Sequence, residues 1–211
     1  MSIISKILSP KTKRKIRKLF SFVYMNKIKK PFTVFSNNCW GGISYDRLGK
    51  QYSSPTIGLL IRPSDYLLFL ENIDYFLNQT PCRCNDEDTK MMLTFEGREI
   101  PLFLTHYASS DDGVNKWERR KKRICFNNII VKLSDSEIRG DFLTNELVER
   151  FSILPYKKIM FTSNVEWAKK YDFAIFVKAE KGYDRLTDSK YELKKVNSVY
   201  SMKQLIELIN Q

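Results

Sequence analysis

Short apolar runs alternate with helical stripes of hydrophobic residues along most of this chain. Runs rich in β-branched and aromatic residues predict strands at 32–35, 56–61, 91–95, 100–105, 127–133, 158–162 and 173–177. Apolar residues spaced three and four apart predict helices at 63–77, 114–124, 142–153 and 202–209. This alternation predicts a three-layer, Rossmann-like α/β fold with helices on both sides of the sheet. A hairpin of residues 91–95 and 100–105 would make that sheet mixed, although largely parallel.

The first predicted strand ends in a loop whose residue types suit a binding site. The loop consists of Asn37, Asn38, Cys39, Trp40, Gly41 and Gly42. Asn and Gly tolerate left-handed backbone angles, and a Gly pair lets a ligand or another backbone approach closely. Because α/β folds bind ligands at the carboxyl ends of strands, we expect this loop to bind substrate. Asn37 and Asn38 either bind sugar hydroxyls or only close the turn, and the sequence leaves both open.

His106 is the only histidine of the chain, so any imidazole acid–base chemistry must use it. Together with Tyr107 it ends a predicted strand, just before a cluster of helix-capping residues. If the two strand ends are adjacent, His106 can activate Cys39 as a nucleophile. His106 and Cys39 are therefore the catalytic candidates. The structural alternatives are a hydrogen-bonding histidine and a small buried cysteine.

The helix that follows His106 carries a tryptophan among arginines. Trp117, Arg120 and Ile124 fall on one stripe, with Arg123 beside them. A guanidinium pair beside an indole suits a phosphate or carboxylate, because the guanidinium fork binds such groups bidentately. We therefore add Trp117, Arg120 and Arg123 to the substrate-binding candidates, with Tyr107. In the alternative, the tryptophan anchors the helix on the sheet and the neighbouring cations face water.

The positive charge of the chain is concentrated at its start. Ten of the 36 basic residues and none of the 24 acidic ones lie in residues 1–30, so residues 31–211 are close to neutral. Ile16, Leu19, Phe20 and Val23 would form the apolar face of a basic helix, which can lie on an anionic bilayer. The alternatives are a solvated tail or a helix packed on the body of the protein. Net charge alone would also allow binding to nucleic acid. We expect a basic amphipathic arm at 1–30, a single α/β domain at 31–211 and no specific nucleic-acid partner.

Metal and cofactor motifs are weak or missing in the sequence. The stretch Asp86-Glu87-Asp88 has the form in which glycosyltransferases hold a metal, but no strong strand precedes it. The chain contains no phosphate loop, dinucleotide fingerprint or nucleophile elbow. We therefore predict neither a metal nor a cofactor. The four cysteines lack the spacing of disulfide or zinc sites, and the sequence shows no membrane-spanning run and no signal peptide. We therefore expect a cytoplasmic protein that is peripheral on the inner face of the plasma membrane.

Several separated motifs resemble one bacterial family. The motifs are residues 36–42 (SNNCWGG), Tyr52 to Leu59, His106-Tyr107, Lys116 to Ile124, and Leu154-Pro155-Tyr156 with the strand after it. The chain resembles domain-of-unknown-function family 1919, whose members are often labelled exopolysaccharide biosynthesis proteins. The resemblance covers roughly residues 31–180 and leaves the basic arm outside. It implies an α/β fold and a setting among surface-polysaccharide genes, but no established reaction, so no catalytic residues are carried over.

These observations predict a protein of bacterial exopolysaccharide or capsular polysaccharide biosynthesis. The favoured interpretation is an enzyme, such as a glycosyl- or phospho-sugar transferase, at the cytoplasmic membrane face. Its partners would be a phosphorylated or nucleotide-linked sugar and, through residues 1–30, an anionic membrane surface. The alternative is a non-catalytic binding or scaffold protein of the same pathway. The sequence leaves open whether the chain forms a homo-oligomer.

Overall fold

The computed structural model describes residues 21–84, 89–186, 196 and 199–211. In chain order its elements are β1 (Thr33–Ser36), α1 (Trp40–Leu48), β2 (Leu59–Leu60), α2 (Pro63–Glu71), α3 (Ile73–Leu77), β3 (Cys82–Arg83), β4 (Lys90–Phe95), β5 (Arg98–Leu104), α4 (Ser110–Lys121), β6 (Ile129–Ser134), α5 (Asn145–Ile153), β7 (Lys157–Thr162), α6 (Val165–Lys170), β8 (Ala174–Phe176) and α7 (Met202–Asn210). The α/β class predicted from the sequence is confirmed. The predicted strand regions all contain strands, with shifted ends.

The described strands form two sheets of four strands each, one parallel and one antiparallel. The parallel sheet has the order β1-β6-β7-β8, and the antiparallel sheet has the order β2-β5-β4-β3. The spatial order of the parallel strands therefore follows their order in the chain. Doubly wound sheets instead reverse their strand order at one point, and ligands bind there. The end of β1 at the edge of the parallel sheet is consequently the point where the two sheets meet.

The expectation of one mixed sheet is wrong, because the predicted hairpin joins a sheet of its own. The hairpin itself is confirmed as β4 and β5, paired from Lys90–Phe103 to Phe95–Arg98. It does not extend the parallel sheet, since side chains occupy the outer edge of β1. The Tyr45 hydroxyl accepts a hydrogen bond from Val34 N at 2.9 Å, and Thr56 Oγ1 accepts one from Ser36 N at 3.3 Å. These N–H groups are thus satisfied without another strand.

Side chains of the parallel strands alternate between two hydrophobic cores. On one face, Phe35, Val131 and Met160 pack with residues of the antiparallel sheet and of α2 to α5. On the other face, Val34 and Ile130 pack with α1 and α7. Because strand side chains alternate with period two, buried strands of this kind show continuous apolar runs. Helices therefore lie against both faces of the parallel sheet.

The helix predicted at 63–77 is two helices. The chain turns at Asn72, whose φ of −124° and ψ of 39° interrupt the helical backbone between α2 and α3. Its side-chain Nδ2 donates to Leu68 O at 3.1 Å, beside the backbone hydrogen bond from Asn72 N to the same oxygen at 3.2 Å, so Asn72 caps the end of α2. The break lets Phe69 and Phe76 both pack in the core, with ring centroids 5.6 Å apart.

The described end of the basic arm is attached to the body of the protein. Asn210 of α7 holds it, since its Oδ1 accepts from Lys29 N at 2.8 Å and its Nδ2 donates to Lys27 O at 2.9 Å. Residues 21–25 form a helical turn with Phe22 and Val23 largely exposed. The rest of the predicted arm, residues 1–20, lies outside the described residues. Within the part of the chain that is described, no helix is long and apolar enough to cross a bilayer.

Candidate functional site

A cavity of about 480 Å³ opens where the end of β1 meets the end of β5. We call it the thiol cavity, and its lining residues are Cys39, Gly42, Ile43, Asp46, Tyr52, Ile57, Gly58, His106, Tyr107, Lys116, Arg119 and Arg120. They come from four places in the chain, namely the start of α1, the loop before β2, the end of β5 and α4. The Asn-Cys-Trp-Gly loop and the His-Tyr pair therefore meet, which is the condition under which His106 can act on Cys39. They converge at the junction of two sheets rather than at the edge of one.

Cys39 and His106 lie in direct contact inside this cavity. The Sγ of Cys39 is 3.4 Å from Nε2 of His106 and 3.6 Å from Oγ1 of Thr105. Cys39 is also the N-cap residue of α1, and its side chain makes no capping hydrogen bond. Thiols beside an imidazole and at a helix N-terminus are the ones that reach the thiolate form most readily. The pair has the arrangement of a nucleophile and its base.

Arg120 is a buried cation that borders the cavity. Only 6% of the residue is exposed, and its Nη1 donates to Ile57 O at 2.7 Å and to the Tyr107 hydroxyl at 2.8 Å. Its guanidinium also lies over the ring of Tyr52, with Cζ 5.1 Å from the centroid. No carboxylate of the described residues lies within ion-pair distance of it. Buried charges are normally paired, but this guanidinium has no counter-ion among the described residues.

Two further cations of α4 increase the positive character of the cavity. Lys116 stands one turn before Arg120 and Arg119 directly precedes it, and Lys116 Nζ is bound to Asp112 at 2.6 Å. Asp46 is the one acidic residue of the lining, and the Tyr52 hydroxyl donates to its Oδ1 at 2.7 Å. Burial, together with Asp46, raises the pKa of Tyr52 to about 12. Burial also raises the pKa of Tyr107, so both phenols are neutral hydrogen-bonding groups near pH 7.

Local packing explains why the loop after β1 contains its asparagine and glycines. Asn38 Oδ1 accepts from Trp40 N at 3.2 Å and from Lys132 Nζ at 2.9 Å, so it fixes the start of α1 over a buried lysine. A Cβ on Gly41 or Gly42 would lie 3.1 Å from the Ile57 side chain. The glycines therefore let α1 approach the loop before β2, which brings Cys39 to the rim of the cavity.

Gly58 has a comparable role on the opposite wall. Its φ of +81° suits glycine, and an added Cβ would lie 2.9 Å from Cε2 of Tyr107. The Tyr107 hydroxyl donates to Ile57 O, and Thr105 Oγ1 donates to Gly58 O at 2.6 Å. These contacts hold the end of β5, and with it His106, against the same loop.

Of the eleven candidates from the sequence, five line the cavity and six lie elsewhere. The five are Cys39, Gly42, His106, Tyr107 and Arg120, and the six are Asn37, Asn38, Trp40, Gly41, Trp117 and Arg123. Asn37, Asn38, Trp40 and Gly41 are themselves buried and do not line the cavity. Trp117 is fully buried against Phe69, with ring centroids 6.2 Å apart, because it anchors α4 in the core. Arg123 faces a different hollow.

Sequence reasoning missed Lys116 and Arg119, as well as Asp46 and Tyr52. Lys116, Arg119 and Arg120 occupy positions i, i+3 and i+4, so they share one face of a helix. That spacing was a usable signal. The favoured interpretation puts Trp117 on the binding face with Arg120, and the alternative, in which Trp117 anchors the helix, leaves Arg119 in water, so neither includes this face. The structure turns Trp117 inward and the three cations toward the cavity.

A second hollow lies at the carboxyl ends of β6 and β7. We call it the Asp135 hollow; it has a volume of about 440 Å³ and includes Asp135, Asn145, Asn164, Trp167 and Arg185. Asp135 Oδ2 accepts from Thr162 Oγ1 at 2.9 Å and from Ser163 N at 3.2 Å, and burial raises the pKa of the carboxyl. Asn145 and Asn164 also use their Oδ1 atoms within the protein.

Metal-binding side chains do not cluster in the described part of the chain. No group of three or more His, Cys, Asp or Glu residues converges there in a way that could hold an ion. The Asp86-Glu87-Asp88 stretch lies outside the described residues, so its interpretation stays a prediction.

Comparison with known proteins gives a family but no activity. A family model described as a domain of unknown function, DUF1919, matches residues 11–210. The match includes much of the basic arm, which the sequence-based resemblance had left outside. An uncharacterized protein of Haemophilus influenzae is 30% identical over 131 residues, which is 62% of this chain and 61% of that protein. The chain thus matches less than two thirds of the length of this relative.

Proposed function

The chain belongs to the DUF1919 family, and from that premise we propose that it is an enzyme acting on a phosphorylated or nucleotide-linked sugar. The proposal rests on the buried guanidinium of Arg120, which has no carboxylate partner among the described residues and lies beside the Cys39–His106 contact. The first feature calls for an anion and the second supplies a nucleophile. Their proximity favours a substrate that has both a phosphate group and an electrophilic centre.

The anionic part of the substrate would bind along the cationic face of α4. Arg120 keeps N–H groups beyond the Nη1 used for Ile57 and Tyr107, and Arg119 has no partner among the described residues. Charge-assisted hydrogen bonds to a phosphate contribute roughly 1.5–3 kcal/mol each.

The proposed chemistry is group transfer through Cys39. The thiolate attacks the electrophilic carbon or phosphorus of the substrate, so that a sulfur bond forms while the bond to the leaving oxygen breaks. The His106 imidazolium gives its proton to that leaving oxygen. His106 then takes a proton from an acceptor hydroxyl, whose oxygen displaces the Cys39 sulfur. The thiolate is regenerated, and no redox partner is needed.

Binding of UDP-glucose, measured by calorimetry, tests the anionic half of the proposal. We expect Arg119→Gln to weaken binding about tenfold or more. The matched control is Lys122→Gln, which removes one exposed charge from the next turn of the chain without touching the cavity. Equal affinities for the two variants would contradict the assignment of the cavity.

Polysaccharide production in cells tests the catalytic half. Cys39→Ala and His106→Ala are expected to abolish production at unchanged protein level, whereas Cys125→Ala is expected to preserve it. If production survives both cavity substitutions but fails in Arg120→Met, the protein is a non-catalytic binding protein of the pathway. That second candidate is favoured by the hydrogen bonds with which Arg120 already supports the fold.

We further propose that the protein works at the cytoplasmic face of the membrane, with residues 1–30 on the lipid surface. The ten basic residues of this segment and the exposed side chains of Phe22 and Val23 support the proposal. Removal of residues 1–20 is expected to move the protein from the membrane fraction to the supernatant of lysed cells. Retention of the shortened protein in the membrane fraction would contradict this role of the arm.

The finer fold assignment is also a proposal. Helices against both faces of the parallel sheet support a three-layer, Rossmann-like arrangement for that half of the molecule. The antiparallel sheet, inserted between β1 and β6, is the part that departs from such a plan. A crystal structure with helices on only one face of the parallel sheet would contradict it.

A further inference from the structure

A third space, apart from the thiol cavity and the Asp135 hollow, lies at the opposite end of β1 from the thiol cavity. We call it the cationic hollow; its volume is about 430 Å³. Its lining residues are Ile28, Lys29, Lys30, Pro31, Phe32, Tyr45, Lys50, Gln51, Ser53, Arg123 and Cys125. Four of them are basic and none is acidic, so the electrostatic potential inside is positive.

No acidic side chain among the described residues pairs with the cations of this hollow. Neither Lys29 nor Lys50 makes a side-chain hydrogen bond or ion pair with any described residue. Lys30 Nζ donates to the backbone oxygen of Gln211 at 2.8 Å, and Arg123 Nη1 donates to Tyr52 O at 3.3 Å. The partner of Arg123 is a neutral backbone carbonyl, whereas the partner of Lys30 is a carboxylate oxygen of the last residue, and each cation retains further N–H donors. Four like charges around one space favour an anion there.

Ring stacking and hydrogen bonds fix the walls of the hollow. Phe32 and Tyr45 stack with ring centroids 5.3 Å apart and an interplanar angle of 11°. Ser53 Oγ lies 2.6 Å from the Tyr45 hydroxyl and donates to Phe32 O at 2.9 Å. Asn210 fixes the segment that carries Lys29 by the two hydrogen bonds described above. The backbone positions of Lys29, Lys50 and Arg123 are therefore set by the fold.

We propose that the cationic hollow is a second anion site, which binds a phosphate group separately from the thiol cavity. The loop at 50–53 divides the two sites, since Tyr52 lines the cavity while Gln51 and Ser53 line the hollow. The phosphate belongs either to an anionic phospholipid at the bilayer surface or to a soluble ligand. The inference does not depend on the chemistry proposed for Cys39, and its test reads no activity.

The test compares two double variants that remove the same charge. Lys29→Gln with Lys50→Gln empties the hollow of its two unbonded cations, and Lys122→Gln with Lys203→Gln is the control outside it. One probe is inorganic pyrophosphate, measured by calorimetry. The other is sedimentation with vesicles of phosphatidylcholine and phosphatidylglycerol in equal parts. Thermal unfolding checks that both variants are folded.

We expect the hollow variant to bind about 25-fold more weakly than the wild type, because each cation near a phosphate surface contributes about fivefold. The control is expected to lose clearly less. If the hollow variant loses affinity for vesicles alone, the ligand is a lipid phosphate, and if it loses affinity for pyrophosphate alone, the ligand is soluble. Loss of affinity for both probes shows that the site recognises the phosphate group itself. Equal behaviour of the two double variants, or binding of neither probe by the wild type, overturns the proposal. If the lysine variant is unstable, Arg123→Gln is read by the same criteria.

Discussion

The thiol cavity and the Asp135 hollow both lie at carboxyl ends of parallel strands, but they differ in what their polar groups already bind. In the Asp135 hollow, the carboxylate accepts hydrogen bonds from Thr162 and Ser163, and Asn164 caps α6. In the thiol cavity, Arg120 has no carboxylate partner and Arg119 has no partner among the described residues. The first arrangement stabilises the fold, and the second retains capacity for a ligand. A place at a strand end therefore does not by itself identify a site.

The largest difference between the two regions is expected on removal of the buried carboxylate. Asp135→Ala leaves the donors of Thr162 and Ser163 without their acceptor, which costs roughly 1–3 kcal/mol of unfolding free energy. His106→Ala removes a largely exposed side chain, and we expect a change within about 0.5 kcal/mol. Urea unfolding measures both. A smaller loss for Asp135→Ala than for His106→Ala would reverse the assignment of roles.

Loss of the N-cap of α6, which also lies in the Asp135 hollow, should lower the free energy of unfolding by less than Asp135→Ala does. The Asn164 Oδ1 accepts from Glu166 N at 2.9 Å and from Trp167 N at 3.1 Å. Asn164→Ala is expected to lower the free energy of unfolding by about 1 kcal/mol, whereas Asn164→Asp keeps an acceptor and should lose less. Equal stability of all three proteins in a thermal melt would show that the cap is not a stabilising contact.

The pH dependence of stability should have opposite signs in the two regions. Burial raises the folded-state pKa of Asp135, so its contribution to stability falls as pH rises from the ordinary aspartate value through the raised one. The Lys116 ammonium lowers the pKa of Asp112, so that contribution is present above the ordinary value and is lost as pH falls. Urea unfolding from about pH 3 to 7 should show Asp135→Asn and Asp112→Asn changing the slope in opposite directions. Changes of the same sign would contradict one of the two environments.

The smallest effect on stability is expected at the rim of the thiol cavity. Arg119 is exposed and makes no described contact that supports the fold. Arg119→Gln should therefore change the free energy of unfolding by less than about 0.5 kcal/mol. A larger loss in urea unfolding would show that Arg119 has a structural role, and weaker ligand binding could then not be attributed to lost contact.

The periodicity of the sequence was sufficient for the elements but not for their division into sheets. Strands and amphipathic helices follow from local spacing of apolar residues, which the sequence contains directly. The separation of the hairpin from the parallel sheet depends on Tyr45 and Thr56, which satisfy the outer edge of β1 from distant positions in the chain. Such edge contacts are non-local, so spacing could not predict them.

The sequence predicts the site residues that follow strand ends. It does not predict those whose placement depends on which face of a helix is buried. Cys39 and His106 both follow strands, and the structure places them 3.4 Å apart. The orientation of α4 depends on which side of Trp117 is buried, and this is decided by contacts with Phe69 and the rest of the core. For that reason the sequence identified Arg120 but overlooked Lys116 and Arg119.

The most direct test of the account is the rate at which iodoacetamide alkylates Cys39. Peptide mass mapping separates Cys39 from the other cysteines, and exposed Cys82 serves as an internal reference. If His106 holds Cys39 as a thiolate, the wild-type residue reacts about tenfold or more faster at about pH 6 than the same residue in His106→Ala, with Cys82 unchanged. Equal rates for Cys39 in the two proteins would contradict the proposed nucleophile and leave the cavity as a binding site only.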